Sequence, residues 1–509
     1  MILFFIYLIV LCVLIYKTSF FGILKDDVLN NKFFLSIFLI KISALGAFYF
    51  LYMKLYGSIQ YSDTGNFYRD SLAIHNIAHS NFTEFIKLMF GLSNDGAGSF
   101  VFENFLKSTT TWDKAPGEIL YNDNRLMLRM HALIHFISGS NYFVHALFSC
   151  FLSLIGINWI YKTFKAEFKH KEIYFFLIWV VFPGVWFWTS GLFKEGPALF
   201  LMGMLLISAK SVIADKKRNI KNLVMLYLAM ILSIMFKPYL MLPLLVTTLV
   251  FYGVRNRTKV RAGLKYIMVT VILFLAANFS LQIVFGKDAV KILGERQRDF
   301  MDMSNGGLFL LGKDKFIRLA YDYNLVNVDS SNAIIKAKIK SGPPYMYWEH
   351  SHQQDTLYCK ANADTITEYQ LLYIVPKANA TLTPPVLIKD WPSFLKSIPY
   401  ALYICTLKPF FVDARNVMDI ITSSENLIIL LSLLLFIYNG IKSDFKNPHY
   451  VYFLSLVLIV LILIGSTSPN LGAIQRYRSL VMPFVLLTAL LSSTINDPQK
   501  LCNFFKNKA

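Results

Sequence analysis

Phe33 to Met53 reads FFLSIFLIKISALGAFYFLYM, and soon after it comes Tyr61-Ser62-Asp63-Thr64-Gly65-Asn66-Phe67-Tyr68-Arg69-Asp70. The first stretch is apolar enough, and long enough, to cross a hydrocarbon layer of about 30 Å. The second places two acids, a base and two tyrosines at the lipid–water boundary of a chain that is otherwise apolar. A carboxylate there is poorly solvated by its neighbours and well placed to meet a substrate held in the membrane.

The rest of the chain has the same character. Of 509 residues, 55% are hydrophobic and 16% aromatic, and only 16% are charged, against about 25% in an ordinary soluble domain. Apolar runs lie near 2–16, 33–53, 142–161, 173–188, 192–209, 222–236, 239–254, 266–286, 426–440, 450–465 and 479–495. They are continuous rather than alternating, which favours helices over a barrel. The expected fold is an all-α polytopic membrane protein of 11–12 transmembrane helices. The first run has no basic leader and no small-residue cleavage site, so it reads as a retained helix. The five cysteines are scattered without metal spacing.

A net charge of +19 in a soluble protein would suggest nucleic acid. Here the bases gather in short loops, and no nucleic-acid partner is expected. Lys162, Lys165, Lys169 and Lys171 form one group, Lys210, Lys216, Lys217, Arg218 and Lys221 another. Arg255, Arg257, Lys259, Arg261 and Lys265 form a third. Lys442, Lys446, Lys500, Lys506 and Lys508 complete the series. If the runs alternate, all fall on one side, which the positive-inside rule makes cytoplasmic. The opposite, exported face then holds 57–141, 189–191, 237–238, 287–425 and 466–478. Segment 57–125 carries eight acids against five bases. Leu126 to Ile137 is apolar but short and carries Arg129, His131 and His135, so it reads as an interfacial or re-entrant helix. The chain divides into an N-terminal membrane region (1–286) with the exported loop 57–141, a loop-rich exported segment (287–424), and C-terminal membrane helices (425–509). Gly342-Pro343-Pro344 and Thr383-Pro384-Pro385 punctuate the middle segment.

Five groups could carry chemistry, each with an ordinary alternative. Asp63, with Tyr68, Arg69 and Asp70, could be turn and cap residues. Lys194-Glu195 follows a Pro183-Gly184 break and the Trp186/Trp188 belt, and could be an interfacial anchor with a snorkelling lysine. Lys237, in Phe236-Lys237-Pro238-Tyr239, could also snorkel. Arg476-Tyr477-Arg478 precedes the last span and could be a solvated helix end, although arginine forks bind phosphate well. Lys408, followed by Asp413, Arg415 and Glu425, could belong to an amphipathic interfacial segment. All five fall on the exported face at the membrane boundary. Several cations with one carboxylate in a low-dielectric site suit a lipid phosphate and an acceptor hydroxyl.

With Asp63 in the first large exported loop, Tyr68 nearby, and Arg476-Tyr477-Arg478 before a proline-containing last helix, the chain resembles the membrane glycosyltransferases of the GT-C class. The pattern Pro183, Trp188, Ser190, Gly191, Lys194, Glu195 is similar to uncharacterised bacterial proteins of this kind, notably from Bacteroidetes. The resemblance implies an enzyme of the bacterial inner membrane working on its periplasmic face. It would move a sugar from a polyprenyl-phosphate donor to a glycan, lipid or protein acceptor, in polysaccharide or glycolipid synthesis. Asp63 matches the presumed base. Family members often pair two acids in that loop, whereas Thr64 follows Asp63 here. A divalent cation is left open as a cofactor, with no metal ligands assigned. Substrate contacts are expected from Tyr68, Arg69, Asp70, Lys194, Glu195, Lys237, Tyr239, Lys408, Arg476, Tyr477 and Arg478. An O-antigen or exopolysaccharide polymerase fits the same outline. A lipid-linked sugar flippase is the rival of another class, and the inverted repeats it would favour are not found.

Overall fold

The computed structural model describes residues 2–57, 62–96, 98–112, 122–254, 261–305, 382, 387–443 and 447–507, with the backbone of seven strands between 307 and 375. Tyr61, Arg255, Arg257, Lys259, Lys446, Lys508 and the segments 342–344 and 383–385 lie outside the described residues. Of Arg261 and Lys442 only the backbone is described.

Two apolar helices open the chain, α1 (Ile2–Thr18) and α2 (Asn31–Tyr56). A more polar group follows, α3 (Asp63–Ser80), α4 (Phe82–Met89) and α5 (Asn124–Ser138). The bundle resumes with α6 (Tyr142–Phe164), α7 (Glu172–Val181), α8 (Pro183–Trp188), α9 (Glu195–Ala209), α10 (Ile220–Met235), α11 (Pro238–Val254) and α12 (Arg261–Phe285). Helix α13 (Ala289–Asn305) leads into the strands. After them come α14 (Trp391–Thr406), α15 (Val417–Ser443), α16 (Pro448–Thr467), α17 (Leu471–Arg478), α18 (Met482–Ser492) and α19 (Gln499–Phe505).

Six helical stretches are long and apolar enough to cross a membrane: Asn31–Lys54, Tyr142–Phe164, Glu195–Ala214, Lys265–Ile283, Val417–Ile441 and Pro448–Thr467. The other five apolar runs form helices of 10–17 residues. The chain is thus a multi-pass helical membrane protein. The run 173–188 is broken in two because Pro183 cannot continue α7. Phe182 before it turns extended (ψ 117°), and Pro183 then opens α8, where its missing N–H costs nothing. Helix α5 spans only about 22 Å at 1.5 Å per residue and is not among the six. It buries Met127, Leu128, His131 and His135 and exposes Leu133, Phe136 and Ile137.

Helices α6 and α9 cross in close contact, and glycine makes it possible. A Cβ on Gly156 would lie 2.3 Å from Leu199 O, and one on Gly203 would lie 2.3 Å from Gly156 O. With no hydrophobic drive between helices in lipid, such backbone proximity supplies the packing energy.

The two ends of the bundle differ. At one end the basic loops fold back on the backbone and on acids. Lys165 meets Asp26 at 3.1 Å, Lys506 meets Glu172 at 2.8 Å, and Lys210 Nζ donates to Thr163 O at 2.6 Å. The other end gathers the C-terminus of α2, the starts of α3, α9 and α11, and α17.

The segment read as loop-rich carries a seven-stranded, wholly antiparallel sheet. Its strands are β1 (Gly307–Leu311), β2 (Lys315–Leu319), β3 (Leu325–Asp329), β4 (Ile334–Ala337), β5 (Tyr345–Glu349), β6 (Thr356–Cys359) and β7 (Thr367–Val375), in the order β3-β4-β7-β1-β2-β5-β6. The strands are four to nine residues long, rich in apolar and aromatic side chains and too short to read as membrane helices.

Candidate functional site

Asp63 opens a helix rather than sitting in a loop. The Ser62 hydroxyl caps the helix by accepting from Gly65 N, so Asp63 is the first residue of α3. A carboxylate there is favoured by the positive end of the helix dipole. Its side chain remains 65% exposed. Arg476, near the end of α17, donates from Nη1 to Asp63 Oδ2 at 2.8 Å.

The same guanidinium reaches deeper. Arg476 Nε donates to Glu195 Oε1 at 2.9 Å, and Lys237 Nζ donates to that same oxygen. Glu195 begins α9 and is fully buried. A buried carboxylate is tolerated only when paired, and here two cations share it. Lys237 stands between α10 and α11 with φ +47°, a left-handed conformation that costs a non-glycine residue about 1–2 kcal/mol. Such strain persists where surrounding contacts fix the residue. In this case they are Glu195 and the ring of Tyr477, 5.4 Å from Nζ.

The aromatic belt holds the arginine. Its guanidinium carbon lies 4.2 Å from the Phe193 ring centroid and 6.0 Å from that of Trp188. Gly191 allows this belt to close on α2, since a Cβ there would lie 2.9 Å from the Phe48 ring.

Lys194 faces elsewhere. It pairs with Asp123 at 2.6 Å, just before α5, and its Nζ lies 5.9 Å from the Phe67 ring. Burial opposes ionisation of Asp123, but the neighbouring cations, Lys194 first among them, hold the carboxyl below its usual range. Lys237 and Arg296 of α13 add to that effect. Sequence reasoning missed Asp123 and Arg296. An acid directly before a short apolar helix was the available signal for Asp123; Arg296 sits in an amphipathic helix with no motif.

The structure therefore joins Asp63, Lys194, Glu195, Lys237, Tyr239, Arg476 and Tyr477. The rings of Tyr239 and Tyr477 meet at a tilt of 48°, their centroids 5.1 Å apart, beside Lys237. The cations of this cluster are all paired with acids, and the one carboxylate expected from the sequence is joined by two more. Asp63 and Glu195 neutralise Lys237 and Arg476, and Asp123 neutralises Lys194.

Five expected contact residues go elsewhere. Arg478 lies two positions from Arg476, about 200° around the helix, so the two cannot act as one fork. It is buried against Asn426 Oδ1 at 2.6 Å and Glu425 at 3.8 Å. Asp70 accepts from the backbone N–H groups of Thr110 and Thr111, at 3.0 and 2.7 Å, and from both hydroxyls. It is thereby committed to that loop. Tyr68 donates to Ser140 O and packs on His135. Arg69 is exposed and bonds Asn66 at 2.5 Å. Lys408 pairs with Asp413 at 2.8 Å.

Among the described residues, no group of three or more His, Cys, Asp or Glu side chains is arranged to hold a metal ion. Compared with known protein families, curated proteins and solved structures, the chain matches none.

Proposed function

We propose that this protein is a membrane glycosyltransferase. It transfers a sugar from a polyprenyl-phosphate donor to an acceptor hydroxyl on the exported face of the bacterial inner membrane. The observation that carries the reading is Arg476, which ties the exposed carboxylate of Asp63 to the buried Glu195–Lys237 pair at one end of a membrane bundle. The end opposite is lined by basic loops, as a cytoplasmic end would be.

In this reading the lipid phosphate docks beside Arg476 and Lys237, which Glu195 holds in place in advance. The acceptor oxygen attacks the anomeric carbon and forms the new C–O bond. The bond from that carbon to the phosphate oxygen breaks, and its electron pair leaves with the phosphate. The fixed cations stabilise the charge that develops there, without reorganising. Asp63 takes the acceptor's proton. Lys194–Asp123 braces α5 against the start of α9.

The test is label transfer from a polyprenyl-phosphate sugar by the purified protein in proteoliposomes. Asp63→Asn should lower the rate by about 10² to 10⁴ while insertion and thermal stability are retained. Full transfer by that variant removes Asp63 from the mechanism. Lipid-linked sugar crossing the vesicle without label incorporation would instead identify a flippase.

A further inference from the structure

Glu195 uses one carboxylate oxygen for both cations. The other, Oε2, is fully buried with no hydrogen-bond partner among the described residues. The hydroxyl of Tyr239 is in the same condition. Both groups flank Lys237. Its Nζ bonds Glu195 and lies 5.9 Å from the Tyr239 ring centroid. One oxygen can only accept; the other can donate and accept. Native structures satisfy nearly all buried polar groups, so two orphans around one lysine point to a ligand group.

We infer that Glu195 Oε2 and the Tyr239 hydroxyl form a subsite for a hydroxyl of the transferred sugar, beside the place where the lipid phosphate docks. The sugar hydroxyl donates to Glu195 and accepts from Tyr239. An amine would meet Lys237 and be repelled, and a second phosphate would meet Glu195 and be repelled. A neutral polyhydroxylated ring suits both. This inference rests on the glycosyltransferase reading for the identity of the ligand.

Tyr239→Phe tests it because it deletes only the orphan oxygen. Equilibrium binding of a polyprenyl-phosphate hexose and of bare polyprenyl phosphate is measured for wild type and variant, with thermal unfolding alongside. The expected result is a Kd about tenfold weaker for the sugar-bearing lipid only, with unfolding unchanged or shifted upward. Equal Kd values for both proteins, with a raised unfolding midpoint, would mean that ordered water only occupies the subsite, and would overturn the inference. Equal weakening for both lipids with a lowered midpoint would make Tyr239 structural, and would also overturn it. Discrimination between the lipids without label transfer by wild type would keep the subsite and discard the glycosyltransferase reading. Binding of neither lipid would discard both.

Discussion

Arg476 and Asp63, 413 positions apart, meet at 2.8 Å, and the same guanidinium bonds Glu195 through a different nitrogen. Only a planar, multi-donor cation can serve an exposed and a buried carboxylate at once. Arg476→Lys should therefore keep the charge but lose one arm. The arm to Asp63 is the weaker, because that carboxylate is mostly in water and screened. The substituted lysine is expected to follow Glu195 and release Asp63. Transfer should fall steeply while the unfolding midpoint barely moves. Transfer by Arg476→Lys at the wild-type rate would show that the Asp63 link has no functional consequence.

Lys237 and Glu195 form the buried half of the network. Lys237→Met strips a fully buried carboxylate of one of its two cations, which should cost about 3–5 kcal/mol. Adding Glu195→Gln should recover part of that loss, because the uncompensated charge is removed with it. Chemical denaturation of the two single variants and the double variant measures the coupling. The backbone gives a second check. Both Lys237→Gly and Lys237→Ala delete the amine, but only glycine accepts φ +47° freely. The glycine variant should be about 1 kcal/mol more stable than the alanine variant. The reverse order would show that the left-handed conformation is absent.

How much of this was legible in the sequence follows from what each signal encodes. A long apolar run has one outcome in lipid, so the helical membrane architecture could be read directly. Proline at 183 announced the break between α7 and α8. Side-chain direction was harder. Arg476 and Arg478 look like a pair in sequence, yet helical geometry sends them to opposite sides, one to the cluster and one to Asn426 and Glu425. Lys194 and Glu195 look like an ion pair, yet each finds its partner in a distant part of the chain. Neither Asp123 nor Arg296 carries a motif, because their roles depend on tertiary neighbours. The sheet was hidden because strands of four to nine residues never raise a window of membrane length.

Gly156 offers a test of packing alone. Alanine is favoured over glycine inside a helix by about 1 kcal/mol. Against that, a Cβ would lie 2.3 Å from Leu199 O and 2.6 Å from Leu199 C, which are backbone atoms that no rotamer change can move. Overpacking of this kind costs about 1–3 kcal/mol or more, so the clash should win. Gly156→Ala should lower the unfolding midpoint, whereas Gly253→Ala, with open space around it, should not. Equal midpoints for the two variants would mean that α6 and α9 are further apart.

The histidines predict how stability depends on pH. His131 Nδ1 lies 3.0 Å from His145 Nδ1, and His145 Nε2 lies 2.8 Å from Ser138 Oγ. His135 Nε2 lies 3.1 Å from Ser71 Oγ, and the His75 and His79 Nε2 atoms are 3.2 Å apart. The His135 and His145 rings are 4.3 Å apart. Burial, and then neighbouring histidines, push His131 down to about 3 and His135 down to about 4. In the unfolded chain both titrate near the ordinary value of 6.5. Between those values the unfolded chain binds more protons than the folded one, so stability rises with pH. The stabilisation is complete above about pH 6.5 and is lost progressively down to about pH 4 for His135 and about pH 3 for His131. Asp123, held below its usual range, contributes its own loss at lower pH, outside most of this window. The thermal midpoint in detergent should fall steadily from pH 7.5 to pH 5, and less steeply in His131→Gln and His135→Gln. A midpoint constant over that range would show that the rings are not buried in their neutral form between α3, α5 and α6.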